Sequence, residues 1–190
     1  MSLYTFKNDI ALVAPSGTGK STVNKSLILQ AKGQLKNSIS ATTRAPRGTE
    51  KNAKDYFFIP EDSFIEFART GEFLEYNRYG NTYYGTFRYY VNNIMNCGNN
   101  VVYDVDINGA ISLRNTNPRV KIFYLNAPLE VIEERLIKRG TESSEKIKER
   151  LQIAEKEILR IPEVDFVIDY GQGAIADVAA NKIMDLSFKK

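Results

Sequence analysis

The 190-residue chain has no histidine and a single cysteine, Cys97. The first absence removes serine–histidine and cysteine–histidine nucleophile schemes and the usual zinc chemistry. The second leaves no intrachain disulfide and no cysteine-rich metal site. Any catalysis must therefore run on lysine, arginine, carboxylates and hydroxyls. No stretch approaches the roughly 20 apolar residues of a membrane span. The opening Met1-Ser2-Leu3-Tyr4-Thr5-Phe6-Lys7 does not read as a signal peptide. The formal charge of +3 is too mild for the basic stripe of a nucleic-acid binder, yet it suits a pocket for anionic nucleotides. Internal repeats and low-complexity linkers are also lacking. Apolar residues make up 43%, enough for a core. The expectation is a soluble cytoplasmic protein with one domain, or one core with inserted lobes.

What is present begins with the apolar run Ile10-Ala11-Leu12-Val13, followed by Ala14-Pro15-Ser16-Gly17-Thr18-Gly19-Lys20-Ser21. A buried strand opening into a glycine-rich loop, with Lys-Ser at its end and a helix beyond, fits the cradling of a nucleoside triphosphate. Gly17 and Gly19 let backbone N–H groups approach phosphates. Lys20 would reach the β- and γ-phosphates, and the Ser21 hydroxyl would hold Mg²⁺. The strict pattern has glycine where this chain has Ala14.

Short apolar runs alternate with helical spacing along the rest of the chain. Strands are expected at Val101–Tyr103, Val120–Leu125 and Phe166–Ile168. Ile147, Leu151, Ala154 and Ile158 outline a helix with Ser143 and Ser144 as candidate caps. Pro128 marks another helix start, and Ile175, Val178, Ala179 and Ile183 outline a final amphipathic helix. This alternation predicts an α/β fold with a mostly parallel sheet. The stretch from about Asn37 to Tyr90 breaks the rhythm and reads as an inserted lobe. A polar turn at 139–144 forms a second break.

The lobe is the place to seek an acceptor site. Arg44 and Arg47, with hydroxyls before them, could aim two guanidinium forks at one phosphate; the same residues also fit an ordinary solvated loop. Glu75, on a strand with Phe73, Leu74 and Tyr76, could accept from guanine N1–H and its 2-amino group. Adenine offers neither donor at those positions. The Thr86 hydroxyl could donate to O6. Tyr83-Tyr84-Gly85 fits a packed strand end equally well. At the end of a core strand, period-two alternation puts Asp104 and Asp106 on one face, suited to holding Mg²⁺ through water or orienting basic residues. Turn-forming strand-end residues are the plainer alternative there.

Taken in order, these segments resemble the guanylate kinase family over nearly the whole chain. The shared set is the Ala14–Ser21 loop, Ser40–Arg47, Lys54-Asp55-Tyr56, Glu75, Tyr83–Thr86, Asp104-Val105-Asp106 and Arg135–Thr141. The resemblance implies a three-layer α/β/α P-loop core (1–36, 87–138 and 160–190), a mixed β/α lobe for the nucleoside monophosphate (37–86) and a helical lid (139–159). It implies transfer of the γ-phosphoryl group of ATP to GMP, and to dGMP as well, with Mg²⁺ as cofactor. Arg44, Arg47, Tyr56 and Tyr84 would hold the GMP phosphate. Ser40, Glu75 and Thr86 would contact guanine, with Asp104 near the metal and Asp106 near the acceptor. Arg135, Arg139 and Arg150 would reach the ATP phosphates, and Lys20, Arg44, Arg139 and Arg150 would carry catalysis. The expected state is a monomer or homodimer.

Three positions depart from the family pattern: Ala14, Ala53 where glycine often precedes Lys-Asp-Tyr, and Asp169 where Val-Asn is usual. Asp169 alters the donor–acceptor pattern expected around adenine. Two other functions remain open on sequence. A guanylate-kinase-like protein-binding module usually loses the loop lysine, which is intact here. A kinase for another nucleoside monophosphate or a sugar would differ at Ser40, Glu75 and Thr86.

Overall fold

The computed structural model describes residues 8–140 and 142–188. The readings made on Met1–Lys7 and on Thr141 lie outside the described residues. Strand β1 (Asp9–Val13) is fully apolar after its first residue and buried along its length, as a strand covered on both faces must be. Helix α1 (Lys20–Gln30) returns the chain to β2 (Leu35–Asn37). The next segment forms β3 (Ser40–Thr42), β4 (Phe57–Phe58), α2 (Glu61–Arg69), β5 (Phe73–Tyr79) and β6 (Thr82–Phe87). Helix α3 (Arg88–Asn96) leads back to β7 (Asn100–Asp104), then α4 (Ile107–Thr116), β8 (Val120–Asn126), α5 (Leu129–Arg139), α6 (Ser144–Ile158), β9 (Phe166–Asp169) and α7 (Ala176–Phe188).

Two sheets result. The first has the order β2-β7-β1-β8-β9, and every pairing in it is parallel. The second, β4-β3-β6-β5, is built from residues 40–87 and mixes parallel with antiparallel pairs. Each has its own apolar packing. One core face gathers Ile10, Leu12, Leu27, Phe123 and Ile183; the other gathers Val13, Tyr103, Leu113 and Tyr124. The second sheet and α2 close over Phe64, Phe73 and Phe87, with the Phe64 and Phe73 rings stacked at 4.5 Å. The inserted stretch thus buries its aromatics among themselves. The fully buried Asp9 is satisfied by the Val101 N–H at 2.9 Å, Asn100 Nδ2 and Asn117 Nδ2, and so ties β1 to β7.

The expected strands and helices form, with two corrections. Asp106 does not continue β7 beside Asp104. It lies past the strand end as the N-cap of α4, its carboxylate accepting from the Gly109 N–H at 2.7 Å. The buried face of α7 is Ala179, Ala180, Ile183 and Ser187, whereas Ile175 and Val178 are exposed. Small alanines let α7 approach α1 closely, and Ser26 Oγ donates to Asp177 across that contact.

Candidate active site

The loop between β1 and α1 turns through two left-handed glycines, Gly17 (φ 94°) and Gly19 (φ 101°). A side chain at Gly17 would meet Leu136 of α5 at 2.8 Å, and one at Gly19 would meet the Tyr170 ring at 3.1 Å. Gly19 is the N-cap of α1 and supplies no side-chain cap, and the first turn holds no acidic residue. A helix start of this kind is suited to an anion. Ala14 is not among the residues with positive φ, so glycine's freedom is not required there. Lys20 Nζ lies 2.7 Å from Asp104 Oδ1 and donates to the Val105 carbonyl at 3.1 Å. Burial draws the Lys20 ammonium downward, but the Asp104 carboxylate, with Tyr56 and Glu157 adding to it, leaves it above its ordinary value. Arg135 braces the loop, donating to the carbonyls of Thr18 at 2.5 Å, Tyr170 at 3.2 Å and Gly171 at 2.8 Å. Its guanidinium sits over the Tyr170 ring.

Opposite this loop, the antiparallel pairing of β3, β6 and β5 sets Ser40 and Glu75 on either side of Thr86. Glu75 is 8% exposed, and its Oε1 accepts from Thr86 Oγ1 at 2.6 Å. Burial pushes the Glu75 carboxyl up to about 7; the Thr86 hydrogen bond works against that rise and the Asp106 charge adds to it. Thr86 is thus committed to Glu75 rather than to an open position. Asn77, two residues along β5, donates to Asp106 Oδ2 at 2.7 Å. Arg44 makes a two-point pair with Glu50 at 2.6 and 2.8 Å. The Arg44 hydrogen bonds hold the Glu50 carboxyl down to about 2, against a smaller opposing effect of burial.

Lys20, Arg135, Glu75, Asn77 and Asp106 face one cleft of about 670 Å³. From the donor side it receives Ala14, Pro15, Ser16, Gly17, Gly19, Lys20 and Ser21. From the inserted stretch come Ser40, Tyr56, Glu75 and Tyr84, and from β7 and the segment beyond it Asp104 and Asp106. Arg135, Arg139 and Arg150 complete the wall. Arg150 Nη1 donates to Ser16 Oγ at 2.5 Å and pairs with Glu142 through Nε.

Four expected residues do not line the cleft. Thr18 is wholly buried, Thr86 stands behind Glu75, and Arg44 lies one layer back, over the Tyr56 ring at 4.8 Å. Arg47 opens instead on an adjoining pocket of about 480 Å³, shared with Tyr84, Lys146 and Arg150. Two polar lining residues escaped the sequence reading, Asn77 and Glu157. Asn77 is two positions from Glu75 on one strand face, and Glu157 is seven from Arg150 on one helix face, so both follow from periodicity once those partners are chosen. Glu157 is pushed above its ordinary value, chiefly by burial, with the Lys20 charge opposing.

A parallel sheet with a phosphate-type loop at its carboxyl edge, facing a buried carboxylate on an inserted sheet, defines a P-loop α/β protein of the nucleoside-monophosphate-kinase type. A family model described as guanylate kinase matches residues 7–180, and the chain belongs to that family. It is 37% identical to the guanylate kinase of Lactobacillus johnsonii over 175 residues, covering 92% of this chain and 83% of that protein. It is 44% identical to that of Porphyromonas gingivalis over 152 residues, covering 78% and 81%. The fold matches the crystal structure of guanylate kinase from Anaplasma phagocytophilum with a TM-score of 0.74, at 24% identity over 97% of this chain and 87% of that one.

Proposed function

We propose that this protein transfers the γ-phosphoryl group of ATP to GMP, and to dGMP, giving ADP and the nucleoside diphosphate. The observation that carries the reading is Glu75, a carboxylate buried in the same cleft as Lys20. A carboxylate there can accept two parallel hydrogen bonds from the N1–H and 2-amino edge of guanine. Residues 37–86 act as the acceptor lobe, with Ser40 and Asp106 beside the base and Tyr56, Tyr84, Arg44 and Arg47 around the acceptor phosphate. Residues 139–159 act as the lid, bringing Arg139 and Arg150 onto the donor phosphates. Closure of both excludes water, so that ATP is not simply hydrolysed.

Such a transfer needs neither a strong base nor a covalent intermediate. Positioning and charge stabilisation of a loose transition state suffice, which is how a chain without histidine can catalyse it. Lys20 leaves Asp104 to follow the transferring group, while the N–H groups at the start of α1 hold the donor phosphates.

Among the described residues no cluster of three or more histidine, cysteine or acidic side chains could hold a metal by itself. The Ser21 hydroxyl and Asp104 carboxylate are hard oxygen donors. They suit Mg²⁺, which takes one or two protein oxygens and completes its shell with phosphates and water. When bound there it would neutralise phosphate charge. A cytoplasmic location belongs to the same reading; among the described residues no helix is long and apolar enough to cross a membrane.

The test is ADP release from ATP with GMP, dGMP, AMP, CMP and UMP as acceptors. Turnover confined to the guanine nucleotides is expected. Equal use of AMP, or no turnover with any acceptor, would overturn the assignment.

A further inference from the structure

Arg44 is fastened from several directions. Its Nη1 donates to Glu50 Oε2 at 2.6 Å and to the Ala45 carbonyl at 3.0 Å, and its Nη2 donates to Glu50 Oε1 at 2.8 Å. The guanidinium carbon lies 4.8 Å from the Tyr56 ring centroid and 5.6 Å from that of Phe58. The Arg44 side chain is 11% exposed and that of Glu50 25%, unlike the solvated surface pairs that contribute little. The same Glu50 Oε2 accepts the Arg47 backbone N–H at 2.7 Å, and the Glu50 N–H returns to the Arg47 carbonyl at 3.0 Å. One carboxylate therefore holds the plane of one arginine and the main chain of the other.

We propose that Glu50 is a positioning residue for the acceptor phosphate, fixing Arg44 and the Arg47 turn behind Tyr56 and Tyr84 before substrate arrives. The inference rests on the kinase reading above. An arginine fork left free would lose its rotamer freedom at each binding event, whereas a fork already held by a bidentate carboxylate has lost it on folding. A carboxylate that merely occupied the phosphate's place would need to be displaced, and its removal would tighten binding. The geometry opposes that alternative, because Glu50 is tied into its own loop through both its carboxylate and its backbone N–H, and it sits with Arg44 outside the cleft lining.

The test compares GMP with guanosine, which lacks the phosphate, by calorimetry on the whole protein. Glu50→Gln keeps the shape but loses the two-point charged pair. It is expected to weaken GMP binding about tenfold or more and to leave guanosine within about twofold. The KM for GMP should rise by more than kcat falls, the KM for ATP should stay unchanged, and Glu50→Asp should restore part of the loss. Parallel weakening of GMP and guanosine would reduce Glu50 to general support of the lobe and overturn the proposal. Tighter GMP binding would overturn it in favour of a displaced stand-in. If the unaltered protein binds GMP no better than guanosine and does not phosphorylate it, the kinase reading itself falls, which separates the two failures. Loss of folding in Glu50→Gln, seen by circular dichroism, would also contradict a purely positioning role.

Discussion

Burial lifts the Glu75 carboxyl from an ordinary 4.5 to about 7, and the Thr86 hydroxyl only partly opposes this. Two consequences follow at the scale of this residue. A protonated Glu75 can no longer accept both guanine donors, so the KM for GMP should fall as pH rises from about 6 to 8. Glu75→Gln should lose that dependence and raise the KM at least tenfold or so, read from initial rates across the pH range. Folding stability runs the other way. A carboxyl raised in the folded state binds more protons there than in the unfolded chain, so its contribution is complete below about 4.5 and is lost as pH climbs through about 7. Glu75→Gln should therefore gain on the unaltered protein by up to about 3 kcal/mol at pH 8 in urea titrations and by little at pH 4.5; a constant difference would place the charge outside the buried site. Lys20 is the second such residue. Lys20→Ala should lower kcat by about a thousandfold or more, because it removes a charge that acts on the transferring group. Near-normal turnover would remove the loop from the mechanism.

At the scale of elements, the loop from Arg44 to Tyr56 carries a point of backbone strain. Ala53, at the position where the family pattern favours glycine, has φ 58°, a left-handed conformation that costs an L-residue about 1 kcal/mol. Ala53→Gly should raise the stability read from urea titration by a few tenths of a kcal/mol, up to about 0.6, the relief of about 1 kcal/mol of strain being largely offset by the extra entropy of the unfolded chain. A lower midpoint would show that the turn tolerates alanine without strain. Gly85 behaves differently. It sits inside β6, and a side chain there would meet Phe64, Phe73 and Tyr76 at 3.1 Å. Gly85→Ala should destabilise the aromatic sheet by about 1 to 3 kcal/mol, so this glycine serves packing rather than flexibility. The same scale shows where periodicity misled. Alternation placed Asp106 on a strand that ends at Asp104, because the capping preference of aspartate outweighed the apolar pattern beyond it. In α7 the apolar spacing picks out Ala179 and Ile183, which are buried, together with Ile175 and Val178, which are exposed, and it passes over Ala180.

At the scale of the whole molecule, the parallel core and the phosphate loop were legible because buried parallel strands are nearly continuous apolar runs and the loop's residues have local roles. The inserted stretch was recognisable as a break in rhythm and a cluster of aromatics. The pairing that sets Glu75 against Thr86, and the layering that places Arg44 behind Tyr56 through Glu50, were not legible, since both depend on register and contacts between distant segments. What the molecule does with that arrangement is to bring a triphosphate loop and a guanine-reading carboxylate to one cleft. The most direct test is the ratio of kcat/KM for GMP over AMP with ATP at pH 8, measured for the unaltered protein and for Glu75→Gln. The account predicts a ratio of ~10³ or more that collapses at least a hundredfold in the variant, as expected of a site built to pair a substrate's donors. Comparable use of AMP by the unaltered protein, or a ratio untouched by Glu75→Gln, would contradict it.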